Sequence, residues 1–324
     1  MENTGTKQSA KTQQIRLIFG DCTFGIKGEG FHYIFSYTRG GLESLNKNGK
    51  EWLYRETLPT FWRALTDNDR GNGFGFQSAM WLGAGMYQKV KNIRVFVNER
   101  PIEMPIAPVN NQYTSQEYAE TAEIIFSLEI NTVPKTTVDV AYQVNGSGEI
   151  FVKMNYHGKK GLPELPLLGL RFIMPTQATY FEYEGLSGET YPDRMAGGAE
   201  GIYKVEGLPV PPYLVPQDCG VHMKTKWLKI TRDTTLNNAD TSKEEFSLRF
   251  EQVNGEFAFS ALPFKAEELE NATHIEELPP ERRTVLVMMA KVRGVGGIDS
   301  WGADVEEAYH INAEEDHEFC FLIK

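Results

Sequence analysis

The sequence predicts an all-β chain folded as a large antiparallel sandwich. Three observations carry this. Apolar residues alternate with polar ones at period two through most of the chain, turn-forming Gly and Pro are frequent, and helical patterning is sparse. The 324 residues suffice for one large unit with a sizeable core. Aromatic residues make up 12%, with 30 Gly and 16 Pro, a balance that favours strands and turns over helices.

In chain order, Phe31, Tyr33, Phe35 and Tyr37 fall on one side of an extended segment. Val138, Val140, Tyr142 and Val144 repeat the pattern, followed by Ile150, Val152, Met154 and Tyr156. Asn145-Gly146-Ser147-Gly148 joins these two runs and predicts a hairpin, because such residues accept positive φ at little cost. Phe246, Leu248 and Phe250 give another strand. Phe319, Phe321 and Ile323 give a last one, apolar enough to end docked in a sheet. Phe76, Met80, Gly83 and Tyr87 suggest a short helix, and Ala266 to Ala272 another turn of helix. Neither supplies the crossovers of a parallel sheet. Residues 57–75, 101–116, 158–167, 185–220 and 262–283 read as long loops, which are functional more often than mere connectors. The expected division is a flexible polar tail over 1–14 and one sandwich domain over 15–324.

The formal net charge of −11 argues against nucleic-acid or anionic-membrane binding, both of which need a positive field. Cys22, Cys219 and Cys320 are odd in number and widely spaced, so no disulfide framework is predicted. Each is expected to be a small buried or half-buried side chain, in keeping with a reducing cytoplasm. The N-terminus lacks the apolar core of a secretory signal. The longest apolar stretch, Val285 to Ala290, is too short to span a bilayer.

Three segments carry candidate chemistry. In Phe61-Trp62-Arg63-Ala64-Leu65-Thr66-Asp67-Asn68-Asp69-Arg70-Gly71, two carboxylates and an amide could ligate a hard cation, but the spacing matches no EF-hand loop and a plain turn is the commoner reading of such residues. In Gly185-Leu186-Ser187-Gly188-Glu189-Thr190-Tyr191-Pro192-Asp193-Arg194, Glu189 and Asp193 offer an acid/base pair. The competing reading is a loop tied by an Asp193–Arg194 ion pair. Ser187 is in no nucleophile elbow. In Arg293-Gly294-Val295-Gly296-Gly297-Ile298-Asp299-Ser300-Trp301-Gly302, glycines precede an indole that suits stacking on a sugar ring, or a core position. The six histidines form no zinc-binding spacing, and His274 sits in a polar turn near Glu268, Glu270 and Asn271.

These segments, with Pro212 to Gly220 (PYLVPQDCG) and Phe257 to Phe264 (FAFSALPF), resemble the C-terminal domain of large bacterial β-galactosidases. The resemblance is closer to the separate small chain of two-chain lactic-acid-bacterial β-galactosidases, and runs from about residue 16 to 324. It implies a β-supersandwich related in shape to galactose mutarotase. It implies that the catalytic glutamates and the Mg and Na ligands lie on a partner large chain, leaving this chain with no catalytic residue and no metal of its own. It also implies that Trp301 forms the platform for the non-galactose sugar, and that Asn68, Asp69 and Gly71 begin a mobile loop at the active-site rim. Asp299, Ser300, Arg194 and His274 are secondary candidates for substrate contact. Asn72 to Phe76 depart from the family's loop. The initiator Met and polar tail suit a separately translated subunit, and an excised domain remains an alternative. The expected function is therefore that of a small subunit in a cytoplasmic β-galactosidase. Two alternatives stay open: a free-standing epimerase using His222 or His274 with Glu189, and a purely structural subunit.

Overall fold

The computed structural model describes residues 13–107, 117–299 and 302–324. All described strand pairings are antiparallel and build three sheets. A six-stranded sheet contains β1 (Ile15–Phe19), β2 (Thr23–Gly28), β3 (Phe31–Ser36), β4 (Gly41–Lys47), β5 (Lys50–Glu51) and β9 (Tyr118–Ala119). A five-stranded sheet contains β6 (Arg55–Thr60), β13 (Leu167–Met174), β16 (Val221–Thr225), β19 (Phe257–Leu262) and β20 (Thr284–Val292). The ten-stranded sheet takes β7 (Gln88–Val97), β8 (Arg100–Ile102), β10 (Thr121–Ile130), β11 (Thr136–Asn145), β12 (Ile150–His157), β14 (Tyr180–Leu186), β15 (Glu200–Glu206), β17 (Trp227–Arg232), β18 (Phe246–Gln252) and β21 (His317–Ile323).

The expected alternation is realised. β10 alternates buried and half-buried residues along its whole length, so one face of the large sheet meets the core. Phe35 packs on Tyr142 with ring centroids 5.4 Å apart, joining the six-stranded sheet to the ten-stranded one. Phe172 meets Phe250 at 5.4 Å, joining the five-stranded sheet to the same core. Each such ring, fully buried, stabilises the fold by about 1.5–3 kcal/mol relative to exposure. The Asn145–Gly148 hairpin forms, with Gly148 at φ 79°, and its carbonyl accepts the Tyr33 hydroxyl at 2.6 Å. The C-terminal strand β21 lies between β12 and β18, at the centre of the largest sheet, so it ties that sheet's two halves together.

Strands β13, β19 and β20 are buried on both faces. Their outer face is covered by loops rather than by another sheet. Two small apolar clusters lie there, one built on Leu167, Tyr191, Val221, Ala258, Met289 and Val292, the other on Ala64, Cys219, Leu262, Phe264 and Leu269. This loop-covered face positions the candidate site.

Four expectations need correction. The predicted helical stripe of Phe76, Met80, Gly83 and Tyr87 is replaced by three short helices, α1 (Asp67–Asn72), α2 (Phe74–Gln77) and α3 (Met80–Ala84). They bury Phe74, Trp81 and Ala84, while Phe76 is 92% exposed and Tyr87 67%. The break between α2 and α3 resets the helical phase, so period counting across it picks the wrong face. The supposed loop 185–220 contains β15, an edge strand with no fully buried residue, whose only apolar contacts with the core come from half-buried Tyr203 and Val205. The supposed loop 57–75 begins inside β6 and carries α1. Cys22 is exposed, whereas Cys219 and Cys320 are buried as expected. The predicted second helix forms as α4 (Ala266–Asn271). Most of the expected tail, residues 1–12, lies outside the described residues. Among the described residues, no helix is long and apolar enough to cross a membrane.

Candidate functional site

After β6 the chain runs through four buried residues, Phe61 to Ala64, and then turns into α1. Thr66 caps the helix: its hydroxyl accepts from the Asp69 amide at 3.2 Å, and Asp69 Oδ2 accepts from the Thr66 amide at 2.9 Å. The Thr-x-x-Asp spacing thus fixes where the helix starts. It also turns the Asp69 carboxylate inward, where it is fully buried.

Two guanidiniums meet it there. Arg63 Nη1 donates to Asp69 Oδ2 at 2.6 Å, and Arg293 Nη1 donates to Asp69 Oδ1 at 3.1 Å. Both arginine side chains are 1% exposed. Burial is the largest single influence and lowers the Arg63 guanidinium, but the Asp69 and Asp218 charges and the Asp69 hydrogen bond together hold Arg63 above its ordinary value. Arg63 Nη2 also donates to the Gly294 carbonyl at 2.9 Å. Arg293 Nε donates to Glu164 at 2.7 Å, its Nη2 pairs with Asp304, and its guanidinium lies 4.0 Å from the Phe74 ring centroid. His310 Nδ1 lies 2.9 Å from the second Glu164 oxygen. One ionic node therefore joins α1, the loop after β20, and segments near 164 and 304–310.

The loop after β20 is held from two further sides. The buried Asp193 carboxylate accepts the amides of Val295 at 3.0 Å and Gly296 at 2.8 Å. Asn68 Nδ2 donates to the Val295 carbonyl at 3.0 Å. Ser300 and Trp301 lie outside the described residues; Asp299 and Gly302 flank them. Asp299 Oδ1 accepts the Ala303 amide at 3.0 Å, bridging the pair. Gly302 has φ 82° and abuts α1 so closely that a Cβ would lie 2.7 Å from the Gly71 carbonyl carbon. The backbone beside Trp301 is thus packed directly on Gly71.

The remaining motif segments join the same assembly. Asp67 N–H donates to Gln217 at 3.1 Å, and Arg70 reaches the Pro216 carbonyl at 3.3 Å. The Gly220 amide donates to Glu189 at 2.9 Å. The Tyr191 hydroxyl donates to Asp218 at 2.7 Å. Burial pushes the Asp218 carboxyl up to about 7, with Arg63 pulling the other way. Burial also raises Glu189.

The candidates thus separate into distinct places. Asn68 and Gly71 stand beside the loop that bears Trp301. Arg194 is half-exposed with its guanidinium over Gly297, and Asp299 is exposed. The expectation that Asp69 contacts substrate is corrected: it is 0% exposed and its oxygens are engaged by Arg63, Arg293 and Thr66, so it acts as a support. Glu189 and Asp193 bind different backbone stretches rather than forming an acid/base pair. His274 is exposed and engages Thr273 and Glu277, with no bond to these loops among the described residues. His222 is stacked on Phe259 at 4.9 Å, its Nδ1 lies 2.8 Å from the Gly188 carbonyl, and burial pushes its pKa down to about 4. Sequence reasoning missed the node formed by Arg63, Arg293, Glu164 and Asp304. The one available signal was an arginine inside the otherwise apolar run Phe61 to Leu65.

Among protein families, the beta galactosidase small chain matches residues 27–323. A β-galactosidase small subunit from Latilactobacillus sakei is 56% identical over 96% of this chain and 98% of its own length. A β-galactosidase from Streptococcus thermophilus is 31% identical over 100% of this chain, which spans only 29% of that longer protein. Among solved structures, a galactose mutarotase related enzyme from Lactobacillus acidophilus covers 93% of this chain and 96% of its own at 9% identity and a TM-score of 0.41, a likeness too distant to carry any argument.

Proposed function

The chain belongs to the β-galactosidase small-chain family, and from that premise we propose that it completes the active site of a two-chain β-galactosidase acting on terminal β-galactosides such as lactose. In this reading the large chain supplies the two carboxyls of a retaining hydrolysis, about 5 Å apart, and the Mg and Na sites. The small chain supplies the aglycone side of the pocket and is inactive alone. Trp301 stacks on the non-galactose sugar, while Asn68 and Gly71 shape the rim beside it. Arg194 and Asp299 border the same loop. Asp69 acts behind them by fixing α1 against the loop after β20.

The observation that carries this reading is the convergence of five distant sequence segments on one loop-covered face, tied by the Arg63–Asp69–Arg293 node and by Asn68 on Val295. Such a scaffold contributes orientation and water exclusion rather than proton transfer. The test is Trp301→Ala in the assembled enzyme. An aromatic platform is worth on the order of 1–3 kcal/mol, so lactose KM should rise and galactosyl transfer to glucose should fall by about 5- to 150-fold. An unchanged lactose KM removes Trp301 from the site.

A further inference from the structure

On the same outer face of the five-stranded sheet, away from the motif loops, lies a cavity of about 330 Å³ with a different character. Five cationic side chains from distant parts of the chain line it: Arg39, Arg55, Arg171, Lys265 and Arg283. The chain as a whole carries a net charge of −11, so such a gathering is not a consequence of composition. The fold brings it about. Arg171 is an outward residue of β13, opposite Leu58 of the edge strand β6. Lys265 stands at the start of α4, and Arg283 directly precedes β20.

The acids nearby do not balance these charges. Glu267 takes Arg171 in a two-pronged contact at 2.8 and 3.1 Å, and Glu268 pairs with Arg283. Glu56, itself part of the lining, lies 3.9 Å from Arg39. Among the described residues, Arg55 and Lys265 have no carboxylate within 4.0 Å. Arg283 Nε is shut off from solvent and has no acceptor among the described residues. Two of the five cations, Arg55 and Lys265, are thus left without a carboxylate beside the hollow, a balance that favours an entering anion.

We propose that this cavity binds a phosphate dianion, free or as the phosphoryl group of a sugar phosphate. A phosphoryl group carries about −1.5 to −2 charge near pH 7 and three strong acceptor oxygens, which suits arginine forks converging from several sides. The cavity volume falls at the lower end of small-molecule sites, roughly 300–1,000 Å³, and favours a compact anion over an acidic peptide laid along a groove.

The experiment is titration calorimetry on the full 324-residue chain in chloride buffer at fixed ionic strength, with inorganic phosphate and glucose 6-phosphate as separate probes. Saturable one-to-one binding of phosphate is expected. The Arg55→Gln/Lys265→Gln double variant should weaken it at least about tenfold, as for loss of two charge-assisted hydrogen bonds, while Arg16→Gln on β1 leaves it unchanged. Tighter binding of the sugar phosphate identifies that as the source, and equal binding identifies the phosphoryl group alone. Phosphate should also raise the melting temperature of the wild-type chain and not of the double variant. Absence of saturable phosphate binding, or a double variant that binds as the wild type does while melting normally, overturns the proposal. Capture of a glutamate-rich peptide without phosphate binding overturns it too.

Discussion

The Asp69 carboxylate and the Arg293 guanidinium meet at 3.1 Å across 224 residues of chain, each side chain only 1% exposed. Neither group has water to fall back on. Arg63 supplies the second cation and Thr66 two further donors, so each Asp69 oxygen is engaged. A buried ion pair adds little net stability when intact, yet its loss leaves uncompensated charge behind. The node therefore acts as a registration device, setting where α1 lies against the loop after β20.

Asp69→Asn keeps the shape and removes the charge, leaving Arg63 and Arg293 facing one another. Urea unfolding of the isolated chain should show a loss of about 3–5 kcal/mol. A loss below about 1 kcal/mol would show that the node does not hold the fold in register.

Gly302→Ala tests the close approach to α1. The added Cβ would sit 2.9 Å from Gly71 Cα and 3.0 Å from the Asn72 amide nitrogen, on backbone at φ 82°. Either the loop or the helix must shift, at a cost of about 1–3 kcal/mol by the usual price of overpacking. In the assembled enzyme, KM for lactose should rise more than kcat falls, because positioning is disturbed and no reacting group is removed. Wild-type melting and wild-type KM together would refute the contact.

Two groups, half-buried Asp218 and buried His222, pull stability in opposite directions with pH. Asp218 is raised to about 7, so the folded state holds its proton where the unfolded chain has released it, and its contribution is lost as pH rises through 7. His222 is lowered to about 4, so the unfolded chain binds the extra proton first, and its contribution is lost as pH falls from 6.5 through 4. Between about pH 4 and 6.5 the slopes oppose. Asp218→Asn should make stability climb more steeply with pH in that window, and His222→Gln should make it climb less. Denaturation curves at pH 4.5, 5.5 and 6.5 read this directly, and parallel profiles in all three proteins would contradict it.

What the sequence made legible follows the range of the interactions involved. The hairpin at Asn145–Gly148 rests on local chemistry and was readable, as was β21, whose alternating Phe319, Phe321 and Ile323 demand a buried sheet position. The helix at Ala266 was readable for the same reason. β15 was not, because an edge strand with exposed Ile202 and only two half-buried apolar residues facing the core, Tyr203 and Val205, alternates too briefly to betray itself. The face buried by α2 and α3 was misread because the break between them discards the phase. Within the candidate site, the motif segments were visible, but the pairing of Arg63 and Arg293 on one carboxylate was not. No spacing rule connects residues brought together only by the closed fold. Asp69, which the resemblance puts at the rim, is fully buried behind it, and that too follows only from the closed fold.

The most direct test of the proposed function is reconstitution. This chain is mixed with a β-galactosidase large chain of the two-chain type, and hydrolysis of a β-galactoside is followed for each chain alone and for the mixture. Activity confined to the mixture is the predicted result. Hydrolysis by this chain alone, or an equal rate from the large chain without it, would contradict the account.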